Sequence, residues 1–274
     1  MTPSQLARPQ QPAPPDRRAH SVVLTAMEEE ARPFLERLPA LDGAAPLALN
    51  SDAWAVSLAL PPVIPGSADG QGPGAPRELI LIRTGIGLVA AASALAAALA
   101  QVAPRMIISA GTAGGLARDV EVGDVCASTT LAFTDADATA FGYARGQIPG
   151  QPPAFRSAAG LREAIELHGP AALAAATPAS SSARIHAGQM LSGNSFVTAA
   201  NVADTREAFP EAVSTDMESA ALAQVAAAAG IPFASVRGIS DLCGPEAGQD
   251  FHIGADEAAA RSAAVVIAAL AALS

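Results

Sequence analysis

Three carboxylates, Glu30, Glu218 and Asp241, stand where residue type and spacing could do chemistry. Glu30 opens a helical pattern after the apolar run Ser21–Thr25, Glu218 opens another after Ala212–Thr215, and Asp241 follows Pro232–Ile239. Each comes directly after an expected β-strand, so parallel strands would carry all three to one end of a sheet. A pair of acids across a pocket is what glycosyl-bond hydrolysis needs, one to protonate the leaving group and one to activate water. Each acid also has a plainer use: acids in a first helical turn complement the helix dipole, and Ser240-Asp241 could cap a turn.

Other motifs are weaker. Gly85-Ile-Gly-Leu-Val-Ala90 has the form of a dinucleotide fingerprint between strand and helix, but no acid follows about twenty residues on to hold a ribose. Gly111-Thr-Ala-Gly-Gly-Leu116 reads as a second glycine turn after an apolar strand, and two such turns suggest one shared pocket. Gly193-Asn-Ser-Phe-Val197 misses the nucleophile elbow by its last residue. His20, His168, His186 and His252 lack zinc-ligand spacing, so no metal is expected.

The elements that must position these residues alternate along the chain. Apolar runs at Ser21–Thr25, Ala53–Leu60, Glu78–Thr84, Met106–Ala110, Asp124–Ala132, Arg184–Ser192, Ala212–Thr215 and Pro232–Ile239 read as strands. Helical patterns fall at Glu29–Leu38, Leu88–Val102, Gly160–His168, Ala200–Ala208, Met217–Ala229 and Ala255–Leu273. This is the pattern of one α/β domain, residues 21–274, with a central mixed, mostly parallel sheet flanked by helices. Met1–His20, with five Pro and three Arg, reads as a disordered leader, and Pro61–Pro76 and Gly169–Ala183 as mobile surface insertions.

Composition bounds the partners. The 274 residues include 26 acids against 16 bases, a net charge of −10, and every base is a dispersed Arg. Phosphate backbones and anionic membranes draw on clustered positive charge, so neither nucleic acid nor membrane is an expected partner. Gly85–Val102 is uncharged but Ala-rich and short, which fits a buried helix better than a membrane span. Cys126 and Cys243 are too few for a disulfide framework and fit a reducing cytoplasm.

Seven blocks in order resemble the methylthioadenosine/S-adenosylhomocysteine nucleosidases of the purine nucleoside phosphorylase superfamily. They are Ala26-Met-Glu-Glu-Glu30, Thr84-Gly-Ile-Gly87, Gly111–Leu116 with Val122-Gly-Asp124, Asp135–Tyr143, Ser192-Gly-Asn-Ser-Phe196, Asp216-Met-Glu218 and Val236-Arg-Gly-Ile-Ser-Asp241. The resemblance covers about Ser21–Leu273 and implies a nucleoside phosphorylase-like three-layer architecture. It implies hydrolysis of the bond between adenine and a thioribose, without cofactor. Glu30 would then be the base that activates water and Asp241 the acid that protonates N7 of the purine. Glu218 would hold the ribose hydroxyls, Met27 and Met217 would pack on the sugar, and Phe196 would stack on the purine beside the backbone of Val197. Ser240 would orient Asp241, Ile86 and Phe251 would line the alkylthio end, and Thr112 would lie near the water. A homodimer is implied too, with a partner's Ala138, Phe141 and Pro149 closing the apolar end.

Three carboxylates in Ala26-Met-Glu-Glu-Glu30 would repel phosphate, which favours water over a phosphorylase's nucleophile. A phosphate-dependent phosphorylase, a nucleosidase for another adenine nucleoside such as a futalosine, and a silent nucleoside-binding protein on the same scaffold are the alternatives. Asn194-Ser195 before Phe196, Thr112, and Leu242-Cys-Gly244 after Asp241 depart from the family's usual residues, and the first of these changes bears on the purine pocket.

Overall fold

The computed structural model describes residues 15–58, 77–244 and 253–273. Six helices and nine strands alternate along it: β1 (Arg18–Thr25), α1 (Glu28–Arg37), β2 (Asp52–Leu58), β3 (Arg77–Arg83), α2 (Leu88–Leu99), β4 (Ala103–Gly115), β5 (Val125–Phe133), β6 (Phe155–Arg156), α3 (Ala159–Ala174), β7 (Ile185–Ser192), α4 (Val202–Ala208), β8 (Ala212–Asp216), α5 (Ser219–Ala229), β9 (Phe233–Asp241) and α6 (Ala255–Ala272).

The strands form one sheet in the order β2-β3-β1-β4-β8-β7-β5-β6, and β9 bridges β4 and β5. Parallel pairing joins β1 to β3 and β4, β4 to β9, and β7 to β5 and β8. Antiparallel pairing joins β2 to β3, β4 to β8, β5 to β6 and β5 to β9. The ladder β4-β9-β5-β7-β8 therefore closes on itself, an arrangement that residue periodicity does not announce.

Helices cover both faces, giving the three layers expected. On one face Phe34 of α1, Leu161, Ile165 and Leu173 of α3, and Val265, Val266 and Leu270 of α6 are buried against the sheet. On the other, Ala91, Ala94, Leu95 and Ala98 of α2 meet Ala220, Leu222, Ala223 and Ala226 of α5. Small side chains bring these helices close, so that little area per residue is buried but few gaps remain. Gly238 shows how tight the fit is: a Cβ there would stand 2.0 Å from the carbonyl oxygen of Ala258 in α6.

Three expectations are corrected. Strand β1 begins at Arg18, inside the segment read as leader, and His20 is buried with its Nε2 3.0 Å from the carbonyl of Leu273. Residues 1–14 of that leader, the run Pro61–Pro76 and residues 59–60 lie outside the described residues. Gly169–Ala183 is not a mobile insertion: α3 runs through Gly169 and Pro170 to Ala174. Packing overrides the two helix breakers, because Gly169 lies against Ile185 and Val265 where a Cβ would clash, and Leu173 is fully buried. Beyond it, the buried Ser180 hydroxyl donates to the carbonyl of Thr177 and accepts its N–H, at 2.8 and 2.9 Å. Finally, Gly111–Gly115 is no turn but the upper end of β4, hydrogen-bonded to β9.

Candidate active site

Thirteen residues long, β4 reaches past the other strands. Its tip is where the acids gather, since Gly114 pairs with Thr215 of β8 on one side and Asp241 of β9 on the other. The premise of parallel strands fails here, as β8 runs antiparallel to β4. The acids meet all the same, because β8 touches β4 only at its last residues and delivers Asp216 and Glu218 to the same place.

Glu30 sits in the first turn of α1, 1% exposed, with four donors on its carboxylate. Oε2 accepts the N–H groups of Ala26 and Met27 at 2.7 and 3.2 Å, as an acid in the first turn can. Oε1 accepts the N–H and hydroxyl of Thr112 at 2.7 and 2.9 Å. This approach explains Gly111, where a Cβ would lie 2.3 Å from Glu30 Oε1 and where φ is +141°.

Glu218 stands at the N-terminal boundary of α5 without capping it, and its Oε1 accepts the N–H of Gly87 at 2.9 Å, at the turn between β3 and α2. Thus the glycine motif after β3 serves a carboxylate. Burial pushes the Glu218 carboxyl up to about 7, with Asp216 and Glu30 adding to the rise against the pull of Arg237 and the Gly87 N–H.

Asp241 ends β9. Its Oδ1 accepts the N–H of Cys243 at 2.9 Å, and its Oδ2 accepts the Ser240 hydroxyl at 3.1 Å. Cys243 takes φ +55°, unusual for a residue with a side chain, to make that turn. Its thiol, pushed up to about 12 by burial and by Asp241, stays protonated.

The central cation is Arg237, 1% exposed and with no role in the sequence reading. Its guanidinium lies 3.2 Å from Asp216, 3.4 Å from Glu218 and 3.8 Å from Glu30. Burial works to lower its pKa, but the three carboxylates outweigh that and hold it above the ordinary value. The signal was available: an Arg inside the apolar strand Phe233-Ala-Ser-Val-Arg-Gly-Ile239 must find a buried partner. Asp216 enters the sequence pattern only within Asp216-Met-Glu218. Its Oδ1 accepts the N–H groups of Glu218 and Ser219 at 3.1 and 3.0 Å and the Ser192 hydroxyl at 2.5 Å.

One cavity of about 290 Å³ is lined by Met27, Glu30, Ile86, Thr112, Phe196, Val197, Met217, Glu218, Ser240 and Asp241 together, joined by Asp216, Arg237, Thr215, Ser195 and Cys243. Phe251 lies outside the described residues. Ala138, Phe141 and Pro149 are not in this wall; Ala138 is buried, while Phe141 and Pro149 are exposed. Apolar walls with a few convergent charges suit a small, mostly apolar ligand carrying hydroxyls and a protonatable ring. Among the described residues no helix is long and apolar enough to cross a membrane.

A model of the phosphorylase superfamily matches residues 75–271. A 5'-methylthioadenosine/S-adenosylhomocysteine nucleosidase from Actinobacillus succinogenes is 38% identical over 198 residues, which span 72% of this chain and 82% of that protein. The crystal structure of the nucleosidase of that name from Neisseria meningitidis, in complex with methylthio-immucillin-A, is similar at a TM-score of 0.76 and 32% identity, over 92% of this chain and 99% of the other. A futalosine hydrolase of Helicobacter pylori shares the fold at a TM-score of 0.72 and 22% identity, covering 92% of this chain and 97% of its own. With the acids, their glycine-lined approach and these likenesses in agreement, this chain belongs to the phosphorylase superfamily and, within it, to the 5'-methylthioadenosine/S-adenosylhomocysteine nucleosidases.

Proposed function

We propose that this protein hydrolyses the N-glycosidic bond of methylthioadenosine, S-adenosylhomocysteine or both, releasing adenine and the thioribose. The observation that carries water over phosphate as nucleophile is the charge of the cavity: among the described residues that line it, Glu30, Asp216, Glu218 and Asp241 are set against one cation, Arg237. Even with Glu218 partly protonated near neutral pH, that wall opposes a phosphate dianion. Only Glu30 of the three neighbouring glutamates lines this cavity, so the repulsion comes from acids on four elements and not from Glu28 and Glu29.

Cleavage develops positive charge on the ribose and negative charge on the purine. Asp241 protonates the purine at N7, held in line by Ser240 and the Cys243 N–H. Glu30, held by Thr112 and the start of α1, takes a proton from the attacking water. Glu218 receives the ribose hydroxyls, Met27 and Met217 pack on the sugar, Phe196 stacks on the purine, and Val197 meets the ring edge through its backbone. Ile86 lies at the alkylthio end. No metal or cofactor enters this scheme.

The working unit is a homodimer in the cytoplasm, in which the partner's Ala138, Phe141 and Pro149 close the apolar end. Phe141 at 83%, Phe196 at 59% and Ile86 at 58% exposure support a surface that something covers. Two unpaired cysteines support the compartment.

The test is incubation with each nucleoside, with and without phosphate, following adenine and sugar. Adenine with a free reducing thioribose, independent of phosphate, is the expected result. A sugar 1-phosphate, or no adenine from either nucleoside, overturns it.

A further inference from the structure

A second cavity, of about 490 Å³, shares Ala26, Met27 and Ile86 with the first and is otherwise walled by polar groups, chief among them Glu28, Asp52 and Arg83. We propose that it is a subsite for the zwitterionic amino-acid end of S-adenosylhomocysteine, so that this chain favours a thioether ending in an α-amino acid over one ending in an alkyl group. The inference rests on the nucleosidase reading above.

The elements that build it are well separated in sequence. Asp52 opens β2 and Arg83 ends β3; they are cross-strand partners in the antiparallel register, and their side chains form an ion pair. Glu28, the first residue of α1, brings a second carboxylate 3.6 Å from the same guanidinium. Asn50 and Ser51 supply neutral polar groups beside them.

The charge pattern selects the ligand. Glu28 also lies 3.7 Å from Arg32, which Asp256 shares at 3.6 Å, so three carboxylates stand against two guanidiniums; the surplus negative charge suits an ammonium, while the donors of Arg83 offer a place for a carboxylate. A simple anion meets the acids, and a neutral alkyl group meets nothing that favours it over water. An α-amino acid presents both charges on adjacent atoms. In S-adenosylhomocysteine the α-carbon is three bonds from the sulfur, so a sulfur resting on Met27 and Ile86 puts the charged end beyond the wall that the two cavities share. Methylthioadenosine ends at that wall. The side chains of Glu28, Asp52 and Arg83 are 70%, 52% and 35% exposed, so solvent screens the contacts and the expected preference is modest.

The experiment compares kcat/KM for adenine release by the full-length protein from S-adenosylhomocysteine, methylthioadenosine and 5'-butylthioadenosine, the last a neutral chain of similar reach. In Arg83→Gln and Asp52→Asn the value for S-adenosylhomocysteine should fall about five- to tenfold, while the two neutral substrates move less than twofold. Raising salt to about 0.5 M should erode the wild-type preference for S-adenosylhomocysteine over the butyl analogue, as screening lengths shorten. A loss shared equally by all three substrates would mean that the pair only holds the sheet edge, and an undiminished S-adenosylhomocysteine value in both variants would also overturn the subsite. Either failure leaves the nucleosidase reading standing, whereas a wild type that releases adenine from none of the three removes both.

Discussion

Asp216 and Arg237 meet in full burial, with Oδ2 of the acid 3.2 Å from Nε of the guanidinium and both side chains 1% exposed. The same carboxylate accepts the N–H of Glu218 at 3.1 Å, so a single side chain fixes the cation that faces three acids and the backbone of one of them. Asp216→Ala should therefore cost about 3–5 kcal/mol, the penalty of removing one partner from a buried ion pair. Asp216→Asn, which can still accept the N–H groups at the start of α5, should cost less. Urea unfolding of the two variants checks the order.

Stability should fall as pH rises past Glu218. Its carboxyl ionises near 4.5 in the unfolded chain and near 7 in the folded one, so between those values the folded protein keeps a proton that the unfolded chain has lost. The stabilising contribution is complete below the lower value and is lost by the upper one. At about 1.4 kcal/mol per unit of separation, the loss is on the order of 3 kcal/mol. Glu218→Gln should flatten that part of the profile, and unfolding free energies at pH 5 and pH 8 measure it; parallel profiles for the two proteins would contradict the assignment.

Asp241→Asn keeps the shape of the side chain and an oxygen for the Cys243 N–H but cannot donate a carboxyl proton. Adenine release should drop roughly 10²–10⁴-fold, the usual worth of general acid catalysis. The pH–rate profile should change form as well. A variant with an unaltered profile would remove Asp241 from the role of acid.

Gly111→Ala tests the approach of β4 to Glu30. A Cβ 2.3 Å from Glu30 Oε1 forces the carboxylate to move, and a displaced base of this kind costs on the order of 10² in rate. The measurement is kcat alongside a thermal melt, and both should fall, because φ +141° at Gly111 strains any residue with a side chain.

Order and chemistry type were legible in the chain itself. Alternating apolar runs and Ala-rich helical stretches determined an α/β domain, because burial on both sheet faces leaves a periodic trace that any such sequence must carry. Glu30, Glu218 and Asp241 stood out only together: singly each has an ordinary use in a first helical turn or a cap, but all three follow apolar strands. Gly111–Gly115 misled, since a run of glycines looks like a turn when the large group it makes room for, the Glu30 carboxylate, is 82 residues from Thr112 in sequence. Gly169 and Pro170 misled in the same way, as local propensity is weak against the packing of Leu173 and its neighbours.

What only the tertiary structure decided is how the acids come together and what balances them. The β4-β9-β5-β7-β8 closure brings the end of an antiparallel strand to the tip of β4, and no local pattern encodes a pairing of Gly114 with Thr215. Arg237 became central for the same reason. A charge buried in a strand announces that it needs partners, but distance and dielectric, which set their identity and strength, exist only once the chain has folded.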